Sequence, residues 1–394
     1  MFQNLETPVL DSILSLMAEF RADARPDIID LSIGVYKDDN GLTPIMSAVT
    51  EAERRLLDQQ TSKSYLGMTG DAAFGNLMTQ LVLADSIDPQ RVACSQTPGG
   101  SGALRIAAEI IKKASPNVGL WLSEPTWANH FPLLGTVGLN CQSYAYFDAQ
   151  NQCVDFDAMM SSVSKIPAGD VIVLHGCCHN PTGADLTQEQ WVQLAECLAD
   201  RSIIPLIDLA YLGLGDGLEA DAFGTREIVS RVPEALIAAS CSKNFGAYRD
   251  RVGCTIAISD SPATISKVFA QMASIARTLY SMPPDHGAAV VRIILSDEQL
   301  KNQWSAELVT MQRRIQGLRQ GLANTLIDKS GSDHWHFIAR QKGMFSLLGT
   351  SDEGVERLKT EFGIYVVKGG RVNLAGLNDA MLDRVSNALL AVHQ

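Results

Sequence analysis

The chain has 394 residues, 46% of them hydrophobic and 19% charged, the composition of a folded soluble protein with material for one large core and a smaller one. A formal net charge of −12 argues against nucleic acid or an anionic membrane as a partner, although a local arginine can still hold a small anion at contact distance. No apolar run reaches the length of a membrane span, and Met1-Phe2-Gln3-Asn4-Leu5-Glu6 lacks the basic and apolar segments of a secretory signal, so a cytoplasmic location is expected.

In chain order, Ile13, Leu14, Leu16, Met17 and Phe20 recur at helical spacing and predict an amphipathic helix from Pro8 to Ala24. Thr43-Pro44 places a cap residue before an N1 proline and predicts a second helix to about Asp58. A glycine-punctuated loop, Tyr65 to Asp71, precedes a helix expected over 72–84. From Arg91 onward, apolar strand candidates at 91–97, 118–123, 141–147, 171–178, 203–208, 235–240 and 252–258 alternate with helical patterns. One such helix opens with the capping box Thr187-Gln188-Glu189-Gln190. This alternation predicts an α/β fold: a mostly parallel seven-stranded sheet flanked by helices, with ligands beyond the carboxyl ends of the strands. A proline-free helical run from Asp297 to about Asp328 leads into mixed strands (343–348, 371–374) and helices, which predicts a smaller α+β domain. The expected division is an N-terminal arm and part of the small domain over 1–45, a large domain over 46–311 and a small C-terminal domain over 312–394.

The chemistry-bearing motifs fall at strand ends. Ser240-Cys241-Ser242-Lys243 follows the apolar run Ala235–Ala239, with Arg251 eight residues beyond the lysine. Hydroxyls and a guanidinium suit a phosphate, and a lysine amine suits a carbonyl; a solvated basic turn is the plainer alternative. Thr97-Pro98-Gly99-Gly100-Ser101-Gly102 joins a strand to a helix, where free N–H groups and the helix dipole also suit a phosphate, and where Ser101 additionally resembles a hydrolase nucleophile. Asp208, after an apolar run, is costly to bury without a cation beside it; a helix cap is its bland reading. His175-Gly176-Cys177-Cys178-His179 invites a zinc reading. Adjacent cysteines on a strand point to opposite faces, however, and no paired Cys/His cluster completes a tetrahedral set, so no metal is expected and Asn180-Pro181-Thr182-Gly183 is read as a turn aiming the Asn180 amide at a ligand. The cysteines at 94, 141, 153, 177, 178, 197, 241 and 254 are expected to be reduced and mostly buried.

Taken together, Gly34-Val35-Tyr36-Lys37, Tyr65-Leu66-Gly67, Gly99 to Arg105, Trp127-Ala128-Asn129-His130, His179 to Gly183, Asp208 to Tyr211, Ser242 to Gly246 and Gly370 to Asn373 resemble, in order and over essentially the whole chain, the class I, fold-type I pyridoxal-5′-phosphate aminotransferases of the aspartate and aromatic amino acid group. The resemblance implies that Lys243 carries the cofactor and shuttles the substrate Cα proton. It implies that Asp208, oriented by His130, pairs with the ring nitrogen, that Asn180 and Tyr211 bond the ring oxygen, and that Trp127 stacks on the ring. Gly100, Ser101, Ser240, Ser242 and Arg251 would hold the phosphate, with Tyr65 reaching the phosphate of the neighbouring subunit, so a homodimer with shared sites is implied.

For the substrate, the resemblance assigns Arg371 to the α-carboxylate and Arg277 to a side-chain carboxylate in the partner subunit, and places Gly34 in a segment that closes over the site. Met282, Ser101 and Ser64 depart from the aspartate-preferring pattern, while Lys37 and Thr43 agree with it. The expected activity is transfer of an amino group between an aromatic amino acid, also aspartate or glutamate, and 2-oxoglutarate or a related 2-oxo acid. Alternatives are a strict aspartate aminotransferase and, remotely, a serine hydrolase using Ser101. A pyridoxal-binding regulatory role would need an attached DNA-binding region.

Overall fold

A computed structural model describes residues 1–6 and 12–393. The chain forms two compact units, one of Pro44–Arg314 with Gln341–Gly343, the other of Met1–Thr43, Ile315–Arg340 and Met344–Gln394. The boundary falls inside a single helix, Glu298–Ser330. Among the described residues, no helix is long and apolar enough to cross a membrane.

The larger unit is built on seven strands: β1 (Val92–Pro98), β2 (Gly119–Glu124), β3 (Asn140–Ala145), β4 (Val171–His175), β5 (Ile204–Leu209), β6 (Ala235–Ser240) and β7 (Val252–Ile258). Their order across the sheet is β1-β7-β6-β5-β4-β2-β3. Only β7 runs antiparallel to its neighbours; every other pair is parallel. Strands β4, β6 and β7 are buried along their whole length, as expected where helices cover both faces of a sheet. The helix Gly99–Ala114 turns Ala103, Leu104, Ala107, Ala108 and Ile111 onto Val173, Leu206, Ala238 and Ala257, each large aliphatic contributing roughly 1.5–3 kcal/mol by leaving water. Lys112 and Lys113 in its last turn complement the helix dipole.

Three local expectations need correction. The helix predicted from Pro44 begins at Ser47 and runs to Gln59, and its N-cap, Met46, provides no side-chain bond. Glu307 caps it instead, its carboxylate accepting the N–H groups of Ser47 at 2.7 Å and Ala48 at 3.1 Å. The strand expected over 171–178 stops at His175, because Asp185 draws the N–H groups of Cys178 and His179 out of the ladder at 2.6 and 2.8 Å, and Cys178 adopts a left-handed φ of 52°. The third candidate ends at Ala145, and Phe147–Asp148 pairs with Cys153–Val154 in a separate ribbon. The capping box at Thr187 and Gln190 forms with both hydrogen bonds.

The smaller unit packs Leu318, Leu322, Trp335, Phe337, Leu358, Ile364, Leu374 and Leu389 into a core of its own. Ile29–Asp30 pairs with Ile364–Tyr365, and Phe345–Leu347 with Arg371–Asn373. The buried Arg319 donates to the Ile338 carbonyl and the Ser346 hydroxyl, which fixes the second of these ribbons. The first helix is described over Ser12–Ala22; the start expected at residues 8–11 lies outside the described residues.

Candidate active site

The parallel sheet gathers its motifs at one edge. Residues His175 and Asp208 lie side by side in the β4–β5 register, at the carboxyl ends of their strands. Asp208 is buried, and its Oδ2 lies 3.2 Å from His130 Nε2. His130 Nδ1 meets the Thr126 hydroxyl at 2.8 Å, and the same hydroxyl meets His175 Nε2 at 3.1 Å. Burial opposes ionisation of Asp208, but the His130 hydrogen bond, with His130, His175 and Lys243 close by, outweighs it and holds the carboxyl below its ordinary value. The carboxylate therefore stays charged inside the core, ready for a cationic ring nitrogen.

His179 stacks on Tyr146 at 4.1 Å between centroids, with Ser123 at 3.0 Å from Nε2 and Thr182 at 2.9 Å from Nδ1. Burial, reinforced by His130, pushes its imidazole down to about 3, and burial with His179 and His130 nearby pushes His175 well below its usual value. Both rings are thus neutral at pH 7.

Lys243 lies in the turn after β6, its Nζ 4.8 Å from the centre of the Tyr211 ring. The turn is rigid because the fully buried Trp304 donates to the Asn244 carbonyl at 2.8 Å and stacks flat on Phe245 at 4.5 Å. Tyr211 and Asn180 are buried at the ends of β5 and of the segment after β4, and half-buried Trp127 meets His130 edge-on at 5.3 Å.

The antiparallel β7 explains how the anion-binding residues meet. Its first residues, Val252 and Gly253, stand opposite Pro98 of β1 and Ser240 of β6, so Arg251 enters between the two strand ends. Arg251 takes a left-handed φ of 57°, uncommon for a residue with a side chain, and its Nη1 reaches Ser242 Oγ at 3.3 Å. A Cβ at Gly99 would come within 2.6 Å of the Arg251 guanidinium, so only glycine lets the helix start this close. The N-cap, Pro98, gives the first turn of Gly99–Ala114 no side-chain bond, which leaves the N–H groups around Gly100 and Ser101 to a ligand.

Two further predicted residues share an exposed face of the larger unit. Tyr65 is 88% exposed, and the next residue, Leu66, donates its N–H to the Met282 thioether at 3.1 Å. Arg277, exposed at the end of the helix Pro262–Leu279, donates to Ser281 Oγ at 2.6 Å. In the smaller unit, buried Arg371 lies 4.3 Å over the Phe345 ring and donates to the Ser32 carbonyl at 2.6 Å. A Cβ at Gly34 would come 2.6 Å from the same Phe345 ring.

A profile of the family described as aminotransferase class I and II matches residues 26–389. The chain belongs to this family. It is 48% identical over 392 residues to an aromatic-amino-acid aminotransferase of Paracoccus denitrificans and 45% identical over 396 residues to an aspartate aminotransferase of Escherichia coli (strain K12), each alignment covering 100% of both chains. It is also similar, with a TM-score of 0.95, 37% identity and full coverage of both chains, to the structure of an aromatic-amino-acid aminotransferase from Burkholderia pseudomallei covalently bound to pyridoxal phosphate.

The aminotransferase uses pyridoxal phosphate, and the observed residues fit it. Two hydroxyls, a guanidinium and uncapped helix N–H groups form a donor set for a phosphate, and an ionised buried carboxylate waits for a protonated ring nitrogen. The hydrolase alternative fails on geometry as well as on family. Both nitrogens of His130 are taken by Asp208 and Thr126, which leaves this imidazole no hydrogen bond for Ser101. Sequence reading missed Thr126, Ser123 and Trp304; Ser123 and Trp304 lie far along the chain from His179 and Asn244, which they hold, while Thr126 also joins His130 to the distant His175. The His175 and His179 pair was visible, but the stacking of His179 on Tyr146 was not.

Proposed function

We propose that the enzyme moves the amino group of aromatic amino acids, and of aspartate and glutamate, to 2-oxoglutarate or a related 2-oxo acid, and works as a homodimer with shared sites. The observation that carries the reading is the ionised Asp208 under His130, on the same sheet edge as Lys243 and the Arg251 anion cradle.

When bound, pyridoxal phosphate supplies an electrophilic carbonyl and a ring that accepts the electron pair left at the substrate Cα. Lys243 would hold the cofactor through Nζ, and the same amine would accept the Cα proton of the substrate. Its turn is held by Trp304, so the amine reaches the proton from a fixed base. Asp208 would hold a protonated ring nitrogen, and His130 keeps Asp208 aimed. Asn180 and Tyr211 would hold the ring oxygen, Trp127 would cover the ring, and Gly100, Ser101, Ser240, Ser242 and Arg251 would hold the phosphate. Arg371 grips the substrate α-carboxylate with both prongs of its guanidinium, and Gly34 belongs to the segment that closes over the substrate.

Exposure of Tyr65, Leu66, Leu57 and Leu279 on the larger unit supports a subunit interface there. On this reading Tyr65 and Arg277 serve the neighbouring subunit, the first its phosphate and the second its substrate side chain. The polarisable Met282 beside the Arg277 turn supports acceptance of a ring as well as a carboxylate. Initial rates with L-phenylalanine, L-tyrosine, L-aspartate and L-glutamate against 2-oxoglutarate test the proposal. Turnover of all four supports it, and turnover of the acidic pair alone makes this a strict aspartate enzyme.

A further inference from the structure

The cysteine pair in His175-Gly176-Cys177-Cys178-His179 has an arrangement that strand geometry does not predict. Because β4 stops at His175 and Cys178 turns into the left-handed region, the two thiols no longer point to opposite faces. They lie together, their sulfurs within 4.8 Å of each other, and both are buried. A third donor arrives from the helix Leu218–Arg231: the Asp221 carboxylate, also buried, has an oxygen within 4.8 Å of both sulfurs, which likewise lie within 4.8 Å of each other. Among the described residues this is the one cluster of three or more cysteine, histidine or acidic groups so arranged. His175 and His179 are not part of it; their rings lie tilted against each other at 4.2 Å, and His175 Nε2 meets the Thr126 hydroxyl.

The carboxylate is built to point one way. Its Oδ2 accepts the N–H groups of Gly213 and Gly215 at 2.8 and 2.9 Å, and Oδ1 accepts that of Asp216 at 2.8 Å. Those three bonds fix the group rigidly while using three of its roughly four lone-pair positions. A point beside Gly215, where a side chain would begin, lies 2.6 Å from Asp221 Oδ1 and 3.1 Å from Cys178 Sγ, so the glycine leaves these two donors facing one location.

We propose that Cys177, Cys178 and Asp221 bind a soft divalent cation of the zinc and cadmium class, with two thiolates and one carboxylate as ligands and solvent in the fourth position. Thiolate donors select such ions over magnesium or calcium, and a set of three protein ligands is common for zinc. Binding releases the two thiol protons to solvent, and the cation replaces them as the positive partner of the sulfurs.

Titration of the holoenzyme with Cd²⁺, followed by the ultraviolet sulfur-to-cadmium charge-transfer band, tests the proposal. The band should saturate near about one equivalent per chain, disappear in Cys177→Ser and Cys178→Ser, and persist in Cys153→Ser, which removes an exposed thiol. Asp221→Asn should weaken binding by roughly tenfold or more. Persistence of the band in both cysteine variants, or its absence from the wild type at excess cadmium, overturns the site. Should the variants not fold, the ¹¹³Cd resonance of the wild type decides: a two-sulfur shift supports the assignment and an oxygen-only or nitrogen-only shift defeats it.

Discussion

His130 Nε2 stands 3.2 Å from Asp208 Oδ2 with both side chains almost entirely out of water. A carboxylate in such a place is tolerable only because imidazole and, beyond it, the Thr126 hydroxyl share its charge through hydrogen bonds. Asp208→Asn keeps the shape and removes the charge. The variant should still bind the cofactor phosphate but lose roughly 10²-fold or more in kcat, the scale of a single well-placed electrostatic group. Steady-state rates on cofactor-loaded protein check this, and an unchanged kcat would show that the carboxylate has no part in the reaction.

Lys243→Ala should abolish turnover, with a loss of at least about 10²–10⁴-fold from the missing proton carrier alone. Folding should survive, because Lys243 is only partly buried and its turn is held by Trp304 and Phe245. Rate and circular dichroism measured on the same sample separate the two effects. Wild-type turnover in this variant would remove Lys243 from the mechanism.

The buried histidines set an acid limit on stability. His179 falls from 6.5 to about 3 on folding, so between those values the unfolded chain binds a proton that the native chain refuses. Stability contributed by the neutral ring is full above 6.5 and drains as pH drops toward 3, by on the order of 1.4 kcal/mol for each pH unit while that single site is out of balance. His175 acts in the same sense. Denaturant melts at stepped pH should therefore show a shallower acid decline in His179→Phe, which keeps a ring against Tyr146; an identical slope would contradict the assignment.

Glu307 closes the start of a helix nearly 260 residues away in sequence, with bonds of 2.7 and 3.1 Å to Ser47 and Ala48. Glu307→Ala should cost about 0.5–2 kcal/mol, the usual loss for a helix cap, and Glu307→Gln less. Urea unfolding followed by helix signal measures it, and a change within error would mean that water replaces the carboxylate.

That cap also shows where sequence reading ends. Thr43-Pro44 carries a sound local start signal, yet a carboxylate brought in by tertiary structure moved the helix start to Ser47. Likewise, nothing near Cys178 in the sequence announces that Asp185 will bend its backbone out of β4. The seven strands were legible because each is a short apolar run between turn residues, and the residues at their carboxyl ends followed from the parallel topology. Strand order was a different matter. The meeting of Arg251 with Gly99 and Ser242 depends on β7 running antiparallel between β1 and β6, which no local pattern encodes.

The most direct measurement is the visible absorption spectrum of the purified holoenzyme while L-phenylalanine and, separately, L-aspartate are added. The account predicts a yellow band from cofactor bound at Lys243, bleached by either amino acid and restored by 2-oxoglutarate. Bleaching by aspartate alone would contradict the broad specificity, and protein saturated with pyridoxal phosphate that shows no such band would contradict the role of Lys243 itself.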